Sequence, residues 1–161
     1  MEITSIDTNK HWLNVAKKKL HKNKRISFKN KDFLKIKNEK KFDIIIFREF
    51  FNIFTYKKNI QILKKAEKIL KKNGIIILID FYKSVVLRSK IIKFFFRSKE
   101  LTKNENKFLK SRDDYKKYFC DEKWNVIILN KDLLNQHISL KSKILEIIFP
   151  VKYTIIANKK K

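Results

Sequence analysis

Residues 62–81, I-L-K-K-A-E-K-I-L-K-K-N-G-I-I-I-L-I-D-F, read as a helix, a stop and a buried strand in one run. Ile62, Leu63, Ala66, Ile69 and Leu70 recur at helical spacing, which predicts a helix over Lys58–Lys72. Asn73-Gly74 reads as its C-terminal stop. Ile75–Asp80 is then apolar almost throughout, the pattern of a strand covered on both faces. Working upstream, Phe42–Phe47 (F-D-I-I-I-F) is a second strand of that kind, and Lys31–Lys41 is a loop. Arg25–Asn30 (R-I-S-F-K-N) and Glu2–Asp7 (E-I-T-S-I-D) alternate as shorter strands. Between them, Asn9–His21 sets Leu13, Ala16 and Leu20 on one helical face, with Thr8 or Asn9 as N-cap. Downstream, helices are expected over Ser84–Ser98, Lys110–Phe119 and Leu140–Phe149, and strands over Trp124–Leu129 and Val151–Ala157. Strands and helices alternate through Asp80, so the expected fold is α/β, a mostly parallel sheet flanked by helices. No repeat or linker interrupts the chain, and a single domain over 1–161 is expected.

Composition bounds the chemistry. The chain has 161 residues, 43% of them hydrophobic and 35% charged, enough apolar surface for a real core. Gly74 is the sole glycine, so no G-x-G-x-x-G loop and no Walker-type phosphate cradle can form. One cysteine (Cys120) excludes an internal disulfide and a Cys-cluster zinc site, and His11, His21 and His137 show no ligand spacing, so no metal is expected. The apolar runs are far shorter than the ~18–20 residues that cross a bilayer. A reducing, cytoplasmic setting is the expectation.

Lys and Arg number 41 against 16 acids, a net charge of +25. Taken alone this suggests a polyanion partner, either nucleic acid or the surface of an anionic membrane. Yet Lys, Ile, Asn, Phe and Tyr, all with codons that can be pure A/T, make up 94 residues, and only five basic residues are Arg. Arg is the residue that grips phosphate bidentately, so the excess of Lys fits codon bias better than a selected phosphate surface. Phe28, Tyr56, Tyr115 and Tyr118 are aromatics that could stack on bases, though in no RNA-module pattern.

Ligands of open parallel sheets bind at the carboxyl ends of the strands. Asp7, Asp32 and Asp80 fall near such ends, whereas Asp43 falls at a strand start and reads as structural. A carboxylate in that position can accept from two vicinal ribose hydroxyls or cap a helix.

The strings around these acids carry a resemblance. I-T-S-I-D-T-N-K-H-W-L-N-V-A-K-K-K-L (Ile3–Leu20) resembles the second-strand segment of class I S-adenosylmethionine-dependent methyltransferases. I-S-F-K-N-K-D-F-L-K-I (Ile26–Ile36) is similar to that family's third strand and acidic loop, and F-D-I-I-I-F-R-E-F-F (Phe42–Phe51) to its fourth strand. Ile62–Phe81 resembles its R-V-L-K-P-G-G-x-L-x-I-x-(D/E) signature, with Lys72-Asn73-Gly74 in place of K-P-G-G. The match covers about half the chain and implies a Rossmann-like fold with S-adenosylmethionine as cofactor. Residues 1–82 would be the cofactor-binding half, and 83–161 the acceptor side.

The resemblance also implies roles. Asp7 would take the ribose hydroxyls, and Thr8 and Trp12 would flank the adenine. Asp32 would accept from the adenine amino group, with the backbone of Phe33 at the ring edge. Phe47 and Arg48 would lie beside the sulfonium. Trp12 and Phe47 could equally be plain core residues, and Arg48-Glu49 a salt-bridged strand end. The family's first strand, normally central, and its Gly-rich loop normally precede the segment that opens this chain. The expectation is therefore an N-terminally truncated domain: a start further upstream, a partner chain that supplies the missing strand, or a decayed remnant. The implied activity is methyl transfer to a small-molecule or apolar acceptor. The apolar face of Val85–Phe96 would serve as a lid, and L-I-D-F-Y-K-S (Leu78–Ser84) leans toward quinone-pathway C-methyltransferases. Asp80, Tyr82 and His137 are candidate bases, and none is singled out as catalytic. The competing readings are a basic RNA- or membrane-binding protein and an inactive methyltransferase-like subunit.

Overall fold

The structure, a computed structural model, describes residues 2–37, 41–81, 112–119, 124–129 and 152–159. The chain forms two compact units, Met1–Asn38 and Glu39–Lys161. The helices expected over Ser84–Ser98 and Leu140–Phe149, together with Tyr82, Cys120 and His137, lie outside the described residues.

The first unit is a strand–helix–strand: β1 (Ile3–Asp7), α1 (Lys10–Leu20) and β2 (Ile26–Asn30). A crossover helix between consecutive strands leaves them parallel, and β1 pairs with β2 in register from Ile3↔Ile26 to Asp7↔Asn30. Of the two candidate N-caps, Asn9 serves: its side chain accepts from the backbone N–H of His11 and Trp12. Leu13 is the buried residue of α1, and Lys17, Lys18 and Lys19 sit in its last turn, where the helix dipole favours cations. A 3-10 turn, Phe33–Lys35, follows β2.

The second unit is built on β3 (Phe42–Arg48), α2 (Tyr56–Ile69), β4 (Leu70–Phe81), a short helix α3 (Arg112–Lys116), β5 (Trp124–Leu129) and β6 (Lys152–Lys159). The strand order is β3-β4-β6-β5. The β3–β4 pair is parallel, while β6 runs antiparallel to both β4 and β5. The sheet is thus mixed rather than mostly parallel. An apolar run reports that a strand is covered, not which way it runs, so the reversal at β6 leaves no mark in hydropathy. Along β3 burial alternates: Ile45 and Phe47 are buried, Ile44 and Ile46 exposed. Thr55 caps α2, and Ile62, Leu63, Ala66 and Ile69 form its buried stripe, in the core with Ile76, Leu78 and Ile155.

α2 ends at Ile69, earlier than Asn73-Gly74 suggests, because Leu70 is already extended and starts β4. Phe42 pairs with Leu70 and Ile44 with Ile75, so residues 71–74 bulge against Asp43 alone. Gly74 is not in the left-handed conformation of a helix stop. It is needed for space: a Cβ there would lie 2.5 Å from Leu70 Cγ and 3.0 Å from the Asp43 carbonyl oxygen. Asp43 is structural, its carboxylate bound by Lys71 Nζ at 2.9 and 3.0 Å.

Candidate functional site

In the first unit, Asp7 and Asp32 follow from one piece of geometry. β1 and β2 are parallel neighbours, so their carboxyl ends lie at the same end of the pair. Asn30 ties those ends together. Its Nδ2 donates to the carbonyls of Asp7 (3.0 Å) and Thr8 (2.9 Å), and the Lys31 N–H also donates to the Asp7 carbonyl. Asp7 Oδ1 accepts from the Asn9 N–H at 2.8 Å, and Asp32 Oδ1 from the Leu34 N–H at 2.9 Å. Each carboxylate thus fixes its own turn through one oxygen, and no donor among the described residues meets the other. Asp7 and Thr8 are exposed, Asp32 and Phe33 half-buried. Trp12, on the first turn of α1, is 62% exposed, with His11 edge-on at 5.5 Å. It is not a core residue; its ring is offered to solvent beside the end of β1. Two acceptor oxygens and an open indole suit the hydroxyls, amino group and flat face of an adenosine.

In the second unit, the end of β3 is packed and strained. Phe47 is 6% exposed, within ring contact of Phe50 and Phe51. Arg48 Nε lies 3.9 Å from Glu49 Oε1, both side chains near half exposed. Glu49 has φ 52°, the one positive φ among the described residues, and its N–H donates to the Ile79 carbonyl at 2.7 Å. The chain turns sharply here and enters a 3-10 turn, Phe51–Ile53.

A polar cluster that the sequence gives no sign of holds this turn. Asp80, at the end of β4, is 1% exposed, and its Oδ2 accepts from the Asn52 N–H (2.9 Å) and the Tyr115 hydroxyl (3.1 Å). Asn59 Nδ2 donates to the Phe51 carbonyl and to the Tyr118 hydroxyl. The Oδ1 atoms of Asn52 and Asn59 are buried without a hydrogen-bond partner. Burial pushes the Tyr118 phenol up to about 12; the hydrogen bond from Asn59 lowers it, and the charges of Tyr56, Asp114 and Asp80 add to the rise. Tyr56 stacks on Tyr118 at 4.8 Å. Asp80 therefore serves the loop after β3 rather than standing open as a base. Tyr115 is fully buried and Tyr118 nearly so, so neither can stack on a nucleic-acid base as composition allowed. Asn59 carried one usable signal, an amide in the middle of an otherwise apolar helical stripe.

S-adenosylmethionine fits the first unit in part. Asp7, Asp32 and Trp12 suit its adenosine, while the Gly-rich loop that the resemblance associates with its amino-acid tail has no counterpart, since the one glycine lies in the β4 bulge.

The comparisons agree with this fold. The chain superimposes on the plantazolicin methyltransferase BpumL, solved in complex with a triazolic desmethylPZN analog and SAH. That match has a TM-score of 0.66 at 15% identity and covers 99% of this chain and 68% of that one. A proposed S-adenosylmethionine-dependent methyltransferase from Listeria monocytogenes gives 0.71 at 12% identity, over 99% and 80% of the two chains. The N-methyltransferase NodS from Bradyrhizobium japonicum gives 0.63 at 12%, over 99% and 74%. A comparison with curated protein sequences gives no match. Residues 1–118 match the family described as "Methyltransferase domain". The chain belongs to that family, as a class I methyltransferase of Rossmann-like fold whose methyl donor is S-adenosylmethionine.

Proposed function

We propose that this chain provides the adenosine-binding end and the acceptor side of a methyltransferase acting on a small or apolar molecule. The observation that carries this reading is the pair Asp7 and Asp32, at the carboxyl ends of two adjacent parallel strands, each with one oxygen uncommitted. Asp7 would accept from the ribose hydroxyls and Asp32 from the adenine amino group, with Thr8 and Trp12 flanking the ring and the backbone of Phe33 at its edge. Phe47 and Arg48 are the residues of the second unit assigned to the sulfonium side. When bound, S-adenosylmethionine supplies a methyl group on a good leaving group, so what remains for the protein is to position the acceptor and exclude water. An apolar acceptor is supported by the sequence of Val85–Phe96, and the amino-acid tail of the cofactor would be held by a strand and Gly-rich loop from a further segment of polypeptide.

The test is calorimetric titration of SAH into the chain and into Asp7→Ala. Saturable binding that weakens about tenfold or more in the variant is expected, equivalent to about 1.4 kcal/mol. Unchanged affinity in Asp7→Ala overturns the assignment.

A further inference from the structure

β3 is the outermost strand of its sheet. One edge is bonded to β4 from Ile44 to Arg48, and no strand among the described residues lies along the other. F-D-I-I-I-F-R carries no proline, and a flat apolar edge of that kind invites pairing with another chain. The side chains beside the edge point the same way. Ile44 and Ile46 are 47% and 50% exposed, and Ile75 and Ile77, their register partners on β4, are half-buried. Parallel pairs with apolar residues on both faces occur where both faces are covered. One face of the β3–β4 pair is covered, by the core around Ile45, Phe47, Ile76 and Leu78; the other is not.

We propose that the open edge of β3 takes a further β-strand from an acidic polypeptide segment, whose apolar side chains cover Ile44 and Ile46. In what that strand does for the cofactor, the proposal rests on the methyltransferase reading; the docking stands on edge, face and charge alone. Two observations select the occupant. The chain carries +25, so a second copy would bring the same charge to the contact, whatever the origin of that excess. Around the edge, Lys41, Arg48, Lys71 and Lys72 outnumber Asp43 and Glu49, and Asp43 is already bound by Lys71. BpumL also has length beyond the 68% that this chain covers, so a domain of this fold accommodates more polypeptide than is present here. Main-chain pairing would supply affinity, and the Ile44–Ile46 face would supply register.

The experiment uses the full chain and a synthetic peptide of alternating valine and isoleucine flanked by glutamates, read by fluorescence anisotropy and by amide hydrogen exchange over residues 42–48. Saturable binding with slowed exchange in β3 is expected. It should weaken about tenfold or more with lysine flanks, or in Ile44→Thr/Ile46→Thr, a double variant at exposed sites whose folding is checked by its thermal melt. Absence of protection in β3, or equal binding of the lysine-flanked peptide, overturns the proposal. So does a concentration-dependent dimer that Ile46→Thr dissolves, which would make the occupant a second copy. SAH titration in parallel keeps the two readings apart: peptide docking without SAH binding sinks the methyl-transfer reading, and SAH binding without docking sinks this one.

Discussion

Asp7 and Asp32 in the first unit and Asp80 in the second are the same residue type near strand ends, in opposite surroundings. Asp80 is sealed, and it joins the loop after β3 to α3 through a backbone N–H and a tyrosine hydroxyl. Asp7 and Asp32 each accept one local backbone hydrogen bond and keep an oxygen outward. The difference shows that position on a sheet makes an acid a candidate ligand, while the donors packed around it decide whether it has anything left to offer.

The comparison breaks most readily at Asp80. Asp80→Ala leaves the Asn52 N–H and the Tyr115 hydroxyl buried without an acceptor and should cost about 3 kcal/mol in urea unfolding, with Asp80→Asn milder. A cost near zero would mean that the cluster is solvated.

Next comes the alkaline limb. Below pH 10 the Tyr118 phenol is neutral in both folded and unfolded chains. As pH rises from 10 toward about 12, only the unfolded chain releases that proton, so stability should fall through this window, by on the order of 2 kcal/mol in all. Unfolding midpoints across that range should flatten in Tyr118→Phe.

The smallest expected effects are in the first unit. Asp7→Ala and Asp32→Ala each lose one turn contact, about 1 kcal/mol, and Trp12→Ala should stay within about 0.5 kcal/mol. These variants sharpen the contrast if SAH affinity falls while the melt barely moves. A loss of stability in Asp7→Ala as large as in Asp80→Ala would abolish it.

The sequence made the strands and α1 legible because their apolar spacing is a direct image of burial. Asp7 and Asp32 were legible as acids past strand ends, and the structure does put those ends side by side. Trp12 was ambiguous because a large apolar residue on a helix is the same letter whether it faces core or water. The exit of α2 was misread because Gly74 was taken for a backbone signal, when it serves a steric need that only the neighbouring strand reveals. The Asp80–Asn52–Tyr115 cluster joins residues far apart in sequence, with no spacing to betray it. Where the sheet reverses was equally silent, since pairing direction is set by connections rather than composition.

The lone glycine has a further consequence. Every single-base change that alters the residue encoded by a glycine codon either stops translation or adds a Cβ, and at position 74 any Cβ meets the buried Leu70 side chain and the Asp43 carbonyl. In a gene whose composition leans so strongly to A/T codons, a G-rich codon at that point is under steady mutational pressure. Sequencing natural isolates at this one codon would therefore gauge whether the second unit is still held to its fold by selection.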